Sequence, residues 1–120
     1  MGKFVVRKTS TGFKFDLKAT NGEVIATSEV YATLAACVKG ADSVRKCAAD
    51  ADLADLTVGQ KVRNPKFELY EDKGGRFRFR LKARNGKVVA VSEGYTTKAA
   101  CENGIASVRK NGADAQIGDE

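Results

Sequence analysis

A chain of 120 residues, 42% hydrophobic and 30% charged, is one domain's worth of polypeptide, able to bury one core but not several. Its formal net charge is +6 and it contains no histidine, which removes the side chain most used as a general base and the partner in Ser-His and Cys-His pairs. No apolar stretch approaches the roughly 20 residues a bilayer-crossing helix needs, and Met1 to Arg7 lacks the apolar core and cleavage site of a signal peptide, so a cytoplasmic protein that meets no membrane is expected.

In chain order, Phe4 to Lys8 alternates apolar and polar residues and predicts a strand. After a loop containing Gly12, Phe13, Phe15, Leu17 and Ala19 alternate with Lys14, Asp16 and Lys18, the pattern of a half-buried strand with one charged face. Asn21-Gly22 predicts a type I′ hairpin turn, because both residues tolerate positive φ, and Val24 to Ser28 is the return strand. The period then changes. From Thr33 to Cys47, Leu34, Cys37, Ala41, Val44 and Ala48 recur at helical spacing, with Thr33 as N-cap and Lys46 suited to the C-terminal dipole. Gly40 inside that helix costs about 1 kcal/mol against alanine, which argues for close packing there. Ala49 to Leu53 predicts a short final strand, and Asp55 to Pro65, with the sole proline, reads as a linker.

The second half repeats the first. Phe77 to Gly86 matches Phe13 to Gly22, Ser92-Glu93-Gly94-Tyr95 matches Ser28-Glu29-Val30-Tyr31, Ala99-Ala100-Cys101 matches Ala35-Ala36-Cys37, and Ser107 to Lys110 matches Ser43 to Lys46, all at an offset of 64. Phe67 to Glu71 corresponds to the first strand at an offset of 63, the difference lying in the Gly74-Gly75 loop. Val88 to Ser92 is the second return strand, Thr97 the second N-cap, and Ala113 to Ile117 the second final strand. Two repeat units, 1–54 and 66–120, joined by a linker over 55–65, thus form one globular domain. A lone unit would bury too little surface to be robust, whereas two can share a core. The expectation is an α+β fold: a tandem β-β-β-α-β repeat forming one antiparallel sheet of about eight strands, two helices on one face, and pseudo-two-fold symmetry.

Three cysteines show no metal-ligand spacing, and neither metal nor cofactor is expected. They read as reduced, small, half-buried helix residues, the alternative being a redox role for an exposed, unrepeated Cys47.

This set of motifs (Phe-x-Phe-x-Leu-Lys-Ala, Asn-Gly, Ser-Glu-x-Tyr, Ala-Ala-Cys and Ser-Val-Arg-Lys, each present twice) resembles the YegP family, small bacterial proteins of uncharacterised function found as dimerising single units or tandem repeats. The resemblance implies that the two units form one continuous sheet and exchange their C-terminal strands. It brings no catalytic residue or cofactor to carry over.

Two features bear on function. The first half holds 8 basic and 7 acidic residues and the second 13 and 8, the surplus gathering at Arg76, Arg78, Arg80, Lys82, Arg84 and Lys87. At period two, Arg78 to Arg84 share a sheet face at about 6.6 Å spacing, near that of phosphates along a single strand. With Tyr70 or Tyr95 nearby, this face is a candidate for single-stranded nucleic acid or RNA, although Phe77 and Phe79 point into the core and the matching first-repeat face, Lys14, Asp16, Lys18 and Thr20, is no basic track. Solubilising charge is the plainer explanation. The second feature is the duplicated set Ser28, Glu29, Tyr31 and Arg45, with Ser92, Glu93, Tyr95 and Arg109. It reads either as twin anion or small-molecule pockets at the strand-to-helix corner or as a polar corner in which Glu29 pairs with Arg45 or Lys46 and the tyrosine bonds to backbone. No Walker loop, dinucleotide fingerprint or nucleophile elbow is present. The expected class is a non-enzymatic binding or interaction module of unknown partner, nucleic acid or another protein, and a monomer because the tandem repeat supplies its own pseudo-dimer.

Overall fold

Side-chain alternation decides the strands and helical spacing the helices. The computed structural model describes residues 2–112 and 115–119. The first repeat forms β1 (Lys3–Lys8), β2 (Phe13–Lys18), β3 (Val24–Thr27), α1 (Leu34–Ala48) and β4 (Asp52–Asp55); the second forms β5 (Lys66–Glu71), β6 (Phe77–Lys82), β7 (Val88–Val91), α2 (Lys98–Gly112) and β8 (Gln116–Asp119). Ala113 and Asp114 of the expected last strand lie outside the described residues; the strand itself begins at Gln116. Each helix starts where its threonine caps it: Thr33 Oγ1 accepts the Ala36 N–H and Thr97 Oγ1 the Ala100 N–H, both at 3.1 Å.

The eight strands form one sheet in the order β4-β5-β6-β7-β3-β2-β1-β8. The sheet is mixed, which corrects the expected all-antiparallel arrangement: β4 runs parallel to β5, and β8 parallel to β1. The cause is the connection. Neighbours joined by hairpins must be antiparallel, but β4 and β8 arrive through helices that carry the chain across the sheet and deliver it in the same direction as the strand they meet. Each repeat's last strand therefore pairs with the other repeat's first strand, the exchange implied by the family resemblance.

The Asn-Gly turns also differ from expectation. Only Gly22 and Gly86 take positive φ, at 86° and 82°, while Asn21 and Asn85 do not. Asn21 Oδ1 accepts the Glu23 N–H at 3.0 Å and Asn85 Oδ1 the Lys87 N–H at 3.0 Å, and Ala19 and Ala83 pair across the loop with Glu23 and Lys87. These are three-residue loops in which glycine alone supplies the left-handed step, rather than type I′ turns.

β3 and β7 join the halves through one residue pair, Thr27 with Val91. Helices bridge this narrow seam: α1 lies on β1 and β2 and on β7 of the other repeat, and α2 on β5 and β6 and on β2 and β3. Between helices and sheet sits a single core, with Phe4, Phe15, Phe67, Phe79, Leu17, Leu81, Val44 and Val108 fully buried. All three cysteines are buried, Cys47 included, so the alternative of an exposed Cys47 is corrected: the last turn of α1 rolls it inward beside Val44 and Ala48.

Gly40 and Gly104 explain themselves by contact. A Cβ on Gly40 would collide with the Tyr31 hydroxyl, and one on Gly104 with that of Tyr95. Both tyrosine rings lie stacked on a core phenylalanine, Tyr31 on Phe15 at 6.3 Å and Tyr95 on Phe79 at 6.4 Å between centroids. Gly40→Ala should therefore destabilise by about 1–3 kcal/mol through overpacking, although alanine is the better helix former. Combining it with Tyr31→Phe, which removes the obstructing hydroxyl, should recover part of the loss in urea unfolding. A stabilising Gly40→Ala would show that the tyrosine does not set the helix's distance from the sheet.

Candidate binding face

The duplicated corners use their polar groups internally. Ser28 Oγ accepts the Phe15 N–H at 3.0 Å and donates to the Glu29 carbonyl at 2.7 Å; Ser92 does the same with Phe79 at 2.9 Å and Glu93 at 2.8 Å. Tyr31 exchanges two main-chain hydrogen bonds with Phe13, and Tyr95 two with Phe77. Burial, with the neighbouring cysteine and Glu29 or Glu93 adding to it, pushes both tyrosine hydroxyls up, so they stay protonated. Glu29 forms no ion pair with Arg45 or Lys46; Lys46 instead bonds Asp42, one turn back, at 3.1 Å. Arg109 lies over the Phe67 ring at 5.1 Å, away from Tyr95, and the buried Nε of Arg45 has no hydrogen-bond partner among the described residues. Ser, Glu and Tyr thus gather at each corner, while the arginine belongs to the far end of the helix.

The opposite side of the sheet carries no helix. Register places Lys3, Arg7, Lys14 and Lys18 there from the first repeat, and Lys66, Arg78, Arg80 and Lys82 from the second. The same strands contribute Asp16, Glu68 and Asp52 to this face. Of the six basic residues expected to form the nucleic-acid face, Arg78, Arg80 and Lys82 lie on it. Arg76 sits in the turn before β6, Arg84 stands past the end of β6 reaching Asp50 at 3.5 Å, and Lys87 follows the Asn85 turn. Tyr70 shares the face and lies under the Arg80 guanidinium at 4.7 Å, whereas Tyr95 is on the helix side.

Those three cations are already engaged. Glu68, 5% exposed, receives Arg80 at 2.6 Å, Lys82 at 3.2 Å and Lys66 at 3.3 Å, and Asp72 receives Arg78 at 2.6 Å. Burial alone would raise the Glu68 carboxyl, but hydrogen bonds from Arg80, Lys82 and Lys66 outweigh it and hold the pKa down at about 2. Asp72 is likewise held below its usual range, by Arg78 first and then by the Arg76 N–H. On the first repeat's part of the face Arg7 pairs with Asp16 at 2.9 Å, and Lys3, Lys14 and Lys18 form no ion pair among the described residues. Where β3 and β7 diverge, a shallow groove of about 450 Å³ crosses the seam between Arg7 and Lys14 on one side and Arg78 on the other, with Val24 and Val91 between them.

Reading one strand at a time missed Glu68, Asp72, Lys3 and Arg7, because their importance arises from pairing across strands. It also missed Asp55, assigned to the linker. That carboxylate is buried at the end of β4, pairs with Lys98 at the start of α2, and accepts the Thr57 N–H at 3.0 Å. Among the described residues no cluster of histidine, cysteine, aspartate or glutamate is arranged to hold a metal, and no helix is long and apolar enough to cross a membrane.

Comparison with known proteins agrees with this architecture. The domain of unknown function DUF1508 matches twice, over residues 9–55 and 72–119. The UPF0339 protein YegP of Yersinia pestis is 38% identical over 120 residues, covering 99% of this chain and 96% of its own length. A UPF0339 protein of Treponema denticola is 62% identical over 52 residues, 43% of this chain but 90% of the relative. The solution structure of yegP from E. coli, described as a protein of unknown function, superposes with a TM-score of 0.79 at 35% identity, over 99% of this chain and 92% of that one. None of these names carries an enzymatic activity.

The Glu68 cluster makes a pH-dependent prediction. A carboxyl whose pKa falls on folding stabilises the folded state above its unfolded pKa, and the contribution disappears as pH drops through the folded value. Glu68→Gln should cost on the order of 3 kcal/mol at neutral pH. In urea titrations the gap from wild type should close as pH falls from 4.5, the ordinary value, to about 2. A gap that does not change with pH would mean that the carboxylate charge contributes nothing.

Proposed function

This chain belongs to the DUF1508 family, a domain of unknown function, and from that starting point we propose that it is a non-enzymatic binding module that holds a polyanion, single-stranded nucleic acid, against the helix-free face of its sheet. The observation that carries this reading is the charge of that face, where eight cations from both repeats meet three carboxylates within the strands. A sheet presents side chains about 6.6 Å apart along a strand and about 4.8 Å between strands, a lattice able to follow a flexible phosphate backbone. Arg80 covers Tyr70, so contact is to phosphate rather than by base stacking, and affinity should be sequence-tolerant and strongly salt-dependent.

Catalysis is a poor fit to this composition. There is no histidine, and burial pushes the Cys37 thiol up and the Cys101 thiol to about 11, which keeps both as unreactive thiols. Three unpaired cysteines suit a reducing compartment, hence the cytoplasm, and the internal strand exchange gives the monomer the pairing that a lone repeat would need from a second molecule.

The test is fluorescence anisotropy with short single-stranded RNA at about 50 and 200 mM salt. Wild type should bind and weaken steeply with salt. Lys14→Glu/Lys18→Glu should lose at least about tenfold in affinity, while Lys39→Glu/Lys110→Glu, with the same charge change on the helices, should lose far less. No binding at low salt, or equal losses in the two variants, would remove this face as the binding surface.

A further inference from the structure

The two repeats share a backbone plan but not a charge plan, and the difference isolates one site. In the second repeat Lys66 stands directly opposite Lys82, a like-charge pair that on its own would destabilise the sheet. Glu68 neutralises it, placing its carboxylate within 3.3 Å of Lys66 and 3.2 Å of Lys82. The first repeat keeps the lysines, with Lys3 directly opposite Lys18, but the residue in Glu68's place is Val5. Asp16, the nearest carboxylate in register, turns to Arg7 at 2.9 Å and the Thr27 hydroxyl at 2.7 Å instead.

The neighbouring strand has changed in the same sense. β4 puts Asp52 beside Lys66 and the buried Ala54 beside Glu68; β8 puts Gln116 beside Lys3 and Gly118 beside Val5. A Cβ built at Gly118 would meet nothing within 4 Å among the described residues. A groove of about 320 Å³ at the end of these strands is lined by Lys3 and Gln116 with Gly2, Ala19, Thr20 and Gly22, and Lys18 stands outside it. The two lysines thus stand opposite each other with both of their counterparts' carboxylates replaced, while Asp16 takes the place of Arg80 opposite Val5.

We infer that the Lys3–Lys18 pair, with the Gln116 amide beside it, is an oxyanion subsite in which a phosphate group of the ligand takes the position that the Glu68 carboxylate holds in the other repeat. It rests on the proposed polyanion reading for its occupant, a backbone phosphate of single-stranded nucleic acid, but the site can be tested without one. Two ammonium groups and a neutral amide donor suit a tetrahedral oxyanion, which accepts several charge-assisted hydrogen bonds at once. Glu68 shows that the backbone geometry holds a carboxylate at the equivalent position while 5% exposed, there opposite Arg80, where the first repeat has Asp16 opposite Val5, its carboxylate engaged by Arg7 and Thr27.

Val5→Glu should fill the site from within. Titration with inorganic phosphate at constant ionic strength, followed by backbone amide NMR, should give saturable shifts at Lys3, Lys18 and Gln116 in wild type. Val5→Glu should weaken them at least about tenfold, whereas Val88→Glu, the same charge change on the second repeat's part of this face opposite Lys82, should not. Lys3→Gln/Lys18→Gln, at partly exposed positions, serves if Val5→Glu misfolds and should abolish the shifts. Absence of saturable shifts in wild type, or equal affinity in wild type and Val5→Glu, overturns the site. The RNA arm separates the two conclusions. RNA binding lowered more by Val5→Glu than by Val88→Glu supports a backbone phosphate as occupant, and equal lowering overturns it. Phosphate saturation without any RNA binding supports a free-phosphate site and sinks the nucleic-acid reading alone.

Discussion

Strand exchange is the constraint from which the rest of this structure follows. At the centre of the sheet β3 and β7 meet through a single residue pair, Thr27 with Val91, far too little to hold two units together. What joins them is that β4 extends the second repeat and β8 extends the first. To deliver those strands, each helix must cross the seam, and in crossing it lies on sheet contributed by both repeats. One contiguous core results, so neither half is complete when taken alone. The small residues of the helices serve that crossing. Gly40 and Gly104 let the helices descend onto Tyr31 and Tyr95, and Gly112 passes close to Ala48 where the helices meet.

The same crossing assigns the sheet its two sides. Both helices occupy one face, which leaves the other with no apolar cover and obliges it to be solvated. Lysine and arginine stems can shield the sheet while their charged ends stay in water, which accounts for some of the basic character there. Solvation alone does not account for its arrangement. Mixed signs would solvate equally well, and the second repeat has such a mixture around Glu68 and Asp72. In the first repeat lysine faces lysine and Lys14 faces Arg7, with Asp16 as the carboxylate between the strands.

Much of the fold was legible in the sequence because its local signals agree. Phe77, Phe79 and Leu81 alternating with Arg78, Arg80 and Lys82 specify a strand and its sides, and Thr33 and Thr97 mark helix starts that their hydroxyls do cap. Duplication doubled each signal. The direction of β4 and β8 was not legible, since it depends on how far a helix carries the chain. Nor was the type of the Asn-Gly turns: asparagine tolerates positive φ, yet here its side chain finds a better bond to the amide two residues on. The arrangement of charge on the candidate face was not legible for a related reason. Arg78 to Arg84 looks like a bare basic track along one strand, but a sheet face is two-dimensional. Glu68, twelve residues away in sequence, is the neighbour that neutralises Arg80, and Lys3 and Arg7 are what make the first repeat basic.

The asymmetry between repeats is therefore more informative than their likeness. Residues that are the same in both halves, such as Ser28 and Ser92 or Tyr31 and Tyr95, are bonded to the backbone of their own corner and are needed wherever that corner is built. Identity at those positions reflects a turn made twice. Positions that changed while their surroundings stayed the same are different in kind. Replacing Glu68 by Val5 and Asp52 by Gln116 between equivalent strands removes two carboxylates, while the lysines they accompany remain as Lys3 and Lys18. An isolated like-charge pair directly opposed across two strands is destabilising, and a single lysine substitution would relieve it. Its retention leaves two directly opposed lysines, without an ion pair among the described residues, at one end of the first repeat's helix-free face.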